Sequence, residues 1–324
     1  MKKIISGVLF IVAALLWVWF LWPVKESPIQ LKKEQQKEFI TTNIKKNPVK
    51  LEGDYPIKQE AGLVIESDKN VTLKKEELSC SQRYRQKPEW KEIEGVISAI
   101  YMSGEEAAGE GTFQQIPLEA VKSYADAGDK DAMFHYGSEV MWKAAFGVHM
   151  NTVNREPVLS SKDFKQQVQD HKPDLEQFLN GTDYAYQAAV QGRLGGILEI
   201  TAVENGLIRR MVKAEFPVST LEDVLVHRLS YLGLMEKIHT NDPSLVSIFK
   251  SGDELQEGLE VIYGEENIPP EIEHEITQKT QVFSSKLIDK WEADRHRLGL
   301  EPFPDVISPR LDQFLADMKR ECGS

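Results

Sequence analysis

Residues 124–137 read YADAGDKDAMFHYG, and residues 188–201 read AAVQGRLGGILEIT. Ala125, Gly128, Ala132 and Tyr136 of the first stretch return as Ala189, Gly192, Gly196 and Ile200 of the second, each 64 residues on. In both stretches a helical pattern runs into a glycine, a tight turn follows, and a small residue opens the next helix. Small residues at such spacings let one helix backbone lie close to another. The recurrence therefore predicts two helical hairpins of one design, with Ala125, Gly128, Ala132, Ala189, Gly192 and Gly196 as the structural repeat positions and Gly128 and Ala132 permitting close crossing.

From Trp90 onward the apolar periodicity is helical, with Gly and Pro falling mainly between segments. Helices are expected near 89–103, 117–127, 129–146, 173–191, 193–205, 219–240, 242–250, 253–263, 270–298 and 309–321. Ser219 with Glu222 and Ser251 with Glu254 have the spacing of a capping box, and Ser308 followed by Pro309 is a further start signal. Ile272, Ile276, Phe283, Leu287, Trp291 and Leu298 form a single apolar stripe along 270–298 that the rest of the domain should cover.

The paired stretches resemble the Sel-one-like repeat, a relative of the tetratricopeptide repeat with the pattern Ala-x-x-Gly-x-x-x-Ala-x-x-x-Leu-Gly. The resemblance spans about 117–206. Tyr136 and Gly137 stand where the family has Leu-Gly, Val140 stands for the usual tyrosine, Gly147 and Val148 come two positions late, and in the second unit Gly196 replaces alanine and Thr201 glycine. The 64-residue offset exceeds one ordinary repeat, so 149–173 is an insertion or a decayed unit. The resemblance implies antiparallel helix pairs stacked as a short α-solenoid, and a role as adaptor or scaffold.

The amino terminus carries a different signal. After Met-Lys-Lys, residues 4–22 are uncharged and mostly apolar, and about 20 helical residues cross a hydrocarbon core. Trp17, Trp19 and Trp22 suit an interfacial aromatic belt, and bulky residues stand where a signal peptidase needs small ones. An uncleaved transmembrane anchor is expected, with the short basic tail in the cytoplasm of a bacterium and the rest in the periplasm. Residues 23–88 are rich in Lys, Glu and Gln and read as a spacer, with a short strand pair at 62–74. The expected organisation is a cytoplasmic tail (1–3), a transmembrane anchor (4–22), a polar linker (23–88), a helical-repeat region (89–206) and a C-terminal helical region packed on the repeats (207–324). The fold class is all-α, antiparallel helix-hairpin repeats with additional C-terminal helices, preceded by one transmembrane helix.

Composition narrows the function. With 39 basic against 51 acidic residues the net charge is −12, which repels phosphate backbones, so no nucleic-acid partner is expected. Cys80 and Cys322 stand at opposite ends of the soluble part. In an oxidising compartment they form one long-range disulfide, or they remain two separate thiols. The glycines of residues 103–113 lack the Lys-Ser/Thr of a phosphate-binding loop, His274-Glu275 lacks a second histidine four residues on, and no nucleophile motif is present. No cofactor, metal or catalytic residue is assigned.

The expected function is that of a non-catalytic adaptor in the envelope. Its partner is another envelope protein or peptide segment, with a second copy of the chain as a further candidate. Ser123 and Asp126 on the first hairpin and Gln187 and Gln191 on the second are the expected protein-binding positions, with Val121, Ala125, Gly128, Ala185, Ala188 and Gly192 turned inward. The alternative is an anchored hydrolase of envelope polymers using C-terminal carboxylates.

Overall fold

The computed structural model describes residues 79–101, 113, 116–149, 161–247 and 253–323. The expected anchor at 4–22, the strand pair at 62–74 and all but the last part of the linker lie outside them. The described residues are all-α, with no strand among them. No helix among them is long and apolar enough to cross a membrane. The described residues contain twelve α-helices: α1 (Cys80–Tyr84), α2 (Pro88–Ile100), α3 (Leu118–Asp126), α4 (Lys130–Phe146), α5 (Ser161–Asp170), α6 (Leu175–Val190), α7 (Gly195–Lys213), α8 (Val218–Ile238), α9 (Pro243–Val246), α10 (Glu254–Tyr263), α11 (Ile272–Arg297) and α12 (Pro309–Cys322).

Helices α3 and α4 make the first hairpin, α6 and α7 the second, and their turns share one hydrogen-bond pattern. In the first turn Gly128 N donates to Ala125 O at 3.0 Å and Asp129 N to Tyr124 O at 3.2 Å. In the second, Gly192 N donates to Ala189 O at 2.8 Å and Arg193 N to Ala188 O at 2.9 Å. Gly128 and Gly192 have φ of +99° and +102°, the left-handed region that closes a helix and that only glycine enters without strain. A Cβ at either would meet nothing within 4 Å. This corrects the expectation that both point inward and that Gly128 permits close crossing. The turn reverses the chain where the two helices join, so these glycines serve backbone conformation.

Close crossing falls to other glycines. A Cβ on Gly137 would lie 2.7 Å from Gly181 O, and one on Gly181 would lie 2.8 Å from Gly137 O. Backbones of α4 and α6 therefore touch, and this is the most extensive helix contact in the structure. Gly196 does behave as a crossing residue, since its Cβ would be 2.1 Å from Ala185 O, and a Cβ on Gly195 would be 1.9 Å from Tyr101 O. Ala125, Ala132 and Ala189 are fully buried.

Capping explains where helices begin. Asp129 accepts from Asp131 N and Ala132 N, both at 2.9 Å, to start α4, and Asp174 accepts from Gln177 N at 3.0 Å to start α6. Two expected caps are corrected. Helix α8 begins after Pro217, so Ser219 lies inside it, and Glu222 bonds Tyr263 instead. Asp253 caps α10, accepting from Gln256 N at 3.1 Å, and Ser251 lies outside the described residues. Ser308 is the N-cap of α12, with Pro309 in the first turn.

Several boundaries also shift. Helix α1 occupies the end of the span read as linker, α5 lies in the segment read as an insertion, and α7 runs through the expected division at 206/207 to Lys213. Helices α8 and α10 pack on α7, and α11 packs on α8. Of the apolar stripe on α11, Ile272, Ile276, Leu287 and Trp291 are buried, whereas Phe283 is 40% and Leu298 52% exposed. The cover is therefore incomplete. Cys80 and Cys322, whose pairing the sequence left open, form a disulfide that joins α1 to the end of α12.

A buried polar chain fastens the C-terminal segment. Tyr101 at the end of α2 bonds His239 Nε2, His239 Nδ1 meets Asp242 Oδ1 at 2.8 Å, and Asp242 Oδ2 accepts from Val306 N and Ile307 N at 3.0 and 2.9 Å. All three side chains are at most 2% exposed. Burial and the Asp242 charge push the Tyr101 hydroxyl far above its ordinary value. The chain is satisfied and closed to solvent, so it holds structure.

Candidate functional site

The expected binding positions separate in the structure. Ser123 is exposed and donates to Glu119 O of its own helix at 3.1 Å. Asp126 is exposed but accepts from Lys122 Nζ at 2.7 Å and from the Tyr184 hydroxyl at 2.6 Å, tying α3 to α6. Those two hydrogen bonds hold its carboxyl below the ordinary carboxylate value, against burial, which raises it. Gln191 is half-buried with Nε2 3.3 Å from Met133 Sδ. Gln187 is exposed. Asp126 and Gln191 thus spend their polar groups inside the protein, while Ser123 and Gln187 face solvent.

One turn before Gln187 on the same stripe of α6 stands Asp183, also exposed. Beside it gathers the richest chemistry among the described residues. Glu204 of α7 is 1% exposed and its Oε1 lies 2.5 Å from His227 Nδ1 of α8. Its Oε2 has no hydrogen-bond partner among the described residues. The His227 ring packs on Tyr231 one turn along α8, centroids 4.8 Å apart, and on Phe283 of α11 at 5.6 Å. Tyr186 of α6 approaches Tyr231 at 6.4 Å and Trp291 at 6.2 Å. Lys290 of α11 sets its Nζ 3.6 Å above the Tyr186 ring and 2.8 Å from Asp294 Oδ2, which also accepts from the Tyr186 hydroxyl at 3.1 Å.

Electrostatics follow from this packing. Burial alone would lower the His227 pKa, but the charge and hydrogen bond of Glu204, with the charge of Asp183, raise it above its ordinary value. Tyr231 is pushed well up by burial and then by Glu204, Asp183 and Tyr186. Asp183, though exposed, has neighbours on one side of its carboxyl, and that partial burial raises it more than Lys290 and His227 lower it. The site is thus a half-open aromatic frame around two carboxylates and one imidazole.

Such a frame can orient an imidazole and attract a cation. For nucleophilic catalysis it lacks a reacting partner, because no hydroxyl or thiol bonds His227 among the described residues. No three His, Cys, Asp or Glu side chains gather as a metal set among the described residues. Of the C-terminal carboxylates, Asp294 is held by Tyr186, Lys290 and Arg297, and Asp312 accepts from Ser244 N at 2.8 Å. A shallow cleft of about 480 Å³ opens between α8, α10 and α11, walled by Leu229, Leu232 and Ile288 with Thr280 and Ser284.

Sequence reasoning missed Asp183, Glu204 and His227 because they lie on three helices, 21 and 23 residues apart in the chain. A faint signal existed. Glu204 interrupts the buried apolar face of α7 between Val203 and Leu207, and a carboxylate there requires a partner. No family model matches this chain, and no curated protein or solved structure is similar to it.

Proposed function

We propose that this chain is a membrane-anchored helical-repeat scaffold of the bacterial envelope, non-catalytic, which presents its periplasmic domain to another protein. Its hairpins α3–α4 and α6–α7 begin a short solenoid that α8 to α11 extend. The carrying observation is the matched left-handed glycine and hydrogen-bond pattern at Gly128 and Gly192, which supports a repeated structural unit of the kind whose use is to display a surface. The solvent-facing part of that surface is the α6 stripe of Asp183 and Gln187 together with exposed Val282 and Phe283 on α11. Large apolar side chains left exposed beside unpaired polar groups suit a partner's contact.

The test places a photo-crosslinking residue at Gln187 or Val282 of the full-length chain in intact cells. One defined protein captured from either position is the expected result. Absence of any crosslink from both positions in a normally folded, membrane-bound chain would overturn the scaffold role. A phosphatase fused after Ser324 is expected to be active in the same cells, and an inactive one reverses the topology.

A further inference from the structure

We infer that the frame around Asp183 and His227 is a seat for a basic side chain, lysine or arginine, of the protein that docks on this face. The inference rests on the scaffold reading and specifies its chemistry. Five observations carry it.

Glu204 is buried with one oxygen bonded to His227 and the other without a hydrogen-bond partner among the described residues. While His227 is neutral, that buried carboxylate has no countercharge bonded to it, and its negative charge acts on Tyr231. Asp183 adds a second carboxylate acting on the same tyrosine and on His227, and makes no hydrogen bond of its own among the described residues. The rings of Phe283 and Tyr231 pack on His227, and Phe283 is 40% exposed. Carboxylate and aromatic faces together are the surroundings that a cation prefers to water.

Lys290 already holds an ammonium at the edge of this frame, on Tyr186 and Asp294. Its Nζ stands on the Tyr186 ring at 3.6 Å while its side chain remains 53% exposed. It lowers the pKa of Asp183 by its charge, so it offsets part of the same negative potential. Removing it leaves that potential for an incoming cation. The net charge of −12 gives the complementary long-range attraction.

The test uses the full-length protein in detergent micelles with ¹³C-labelled histidine and tyrosine rings. N-acetyl-lysine methylamide, N-acetyl-arginine methylamide and N-acetyl-norleucine methylamide are titrated at roughly millimolar concentrations. The basic probes are expected to shift the His227 and Tyr231 resonances, and the norleucine probe is not. Asp183→Asn, at an exposed position, should weaken the basic probes about three- to fivefold, and Lys290→Met should tighten them by a similar factor. Equal responses to lysine and norleucine, or Asp183→Asn binding like the parent, would overturn the seat. Unresponsive rings together with a protein crosslinked at Gln187 remove the seat and leave the scaffold standing. Responsive rings without any crosslink overturn the scaffold, and with it the docking partner, and leave a cation-binding frame alone.

Discussion

The two hairpins share a turn and differ in what their helices must carry. Around the first turn, Val121, Ala125 and Ala132 form a small separate cluster, bordered by half-buried residues such as Leu118, Met133 and Tyr136. Around the second, Ala185, Ala189, Ile197 and Ile200 belong to the main core that runs on to Trp291 and Leu315. At the first position of close approach the repeat has Ala132, at the second Gly196, whose Cβ would lie 2.1 Å from a backbone oxygen. Identical local instructions thus serve a peripheral unit in one case and a central one in the other. Turn geometry is set by a few adjacent residues, whereas the tolerance of the following helix is set by what arrives from elsewhere in the chain.

The largest expected effect tests that contrast directly. Gly196→Leu drives a side chain into the α6 backbone, which cannot yield as a flexible side chain can, and should cost about 3 kcal/mol or more. Ala132→Leu, in the smaller cluster, should cost about 1 to 2 kcal/mol. Urea unfolding of both variants checks the ratio, and equal losses would break the distinction between peripheral and central units.

A middle-sized effect tests the equivalence. Gly128→Ala and Gly192→Ala each place a β-carbon at left-handed φ with open space around it, so strain alone acts and each should cost about 1 kcal/mol. Two melting curves displaced by the same amount keep the turns equivalent. A Gly192→Ala loss far above the Gly128→Ala loss would mean that the second turn bears tertiary load as well.

The smallest effect sharpens the difference in electrostatics. Each hairpin's second helix carries a buried glutamate facing a histidine: Glu139 with His149 Nδ1 at 3.1 Å, and Glu204 with His227. The His227 pKa is raised above 6.5, against burial, by Glu204 of α7 and Asp183 of α6. A raised folded-state value means stability that is fully present below the unfolded value and is lost as pH rises through the folded one. Glu204→Gln removes the charge that overcomes burial, so the His227 titration should move to lower pH and that loss of stability on raising the pH should shrink. Ring NMR across pH 5 to 9 reads the shift, and an unmoved titration in the variant would show that Glu204 does not control the imidazole.

Much of the fold was legible because helices announce themselves locally. The 64-residue echo marked both turns, and Ser308-Pro309 marked the start of α12. Ser219 misled because a capping-box spacing can also fall inside a helix that starts earlier, after Pro217. Gly137 was noticed only as a motif letter and Gly181 not at all, since close backbone approach is a property of two segments and neither contains it alone. The site was less legible still. Gln187 was placed correctly on an exposed stripe, but Asp126 and Gln191 are engaged by Tyr184 and Met133, partners 58 residues away in each case.

By itself the sequence determined the all-α class, the two matched turns and an unusually apolar amino-terminal stretch, because helix periodicity, capping and glycine conformation act over a few residues. Tertiary structure decided which glycines admit a neighbouring backbone, that Cys80 meets Cys322, and that Asp183, Glu204 and His227 gather in one place. The physical reason is one of range. Hydrogen bonds within a turn are fixed by adjacent dihedral angles, while the partners of a buried charge are fixed by how whole helices cross, and that depends on every side chain between them.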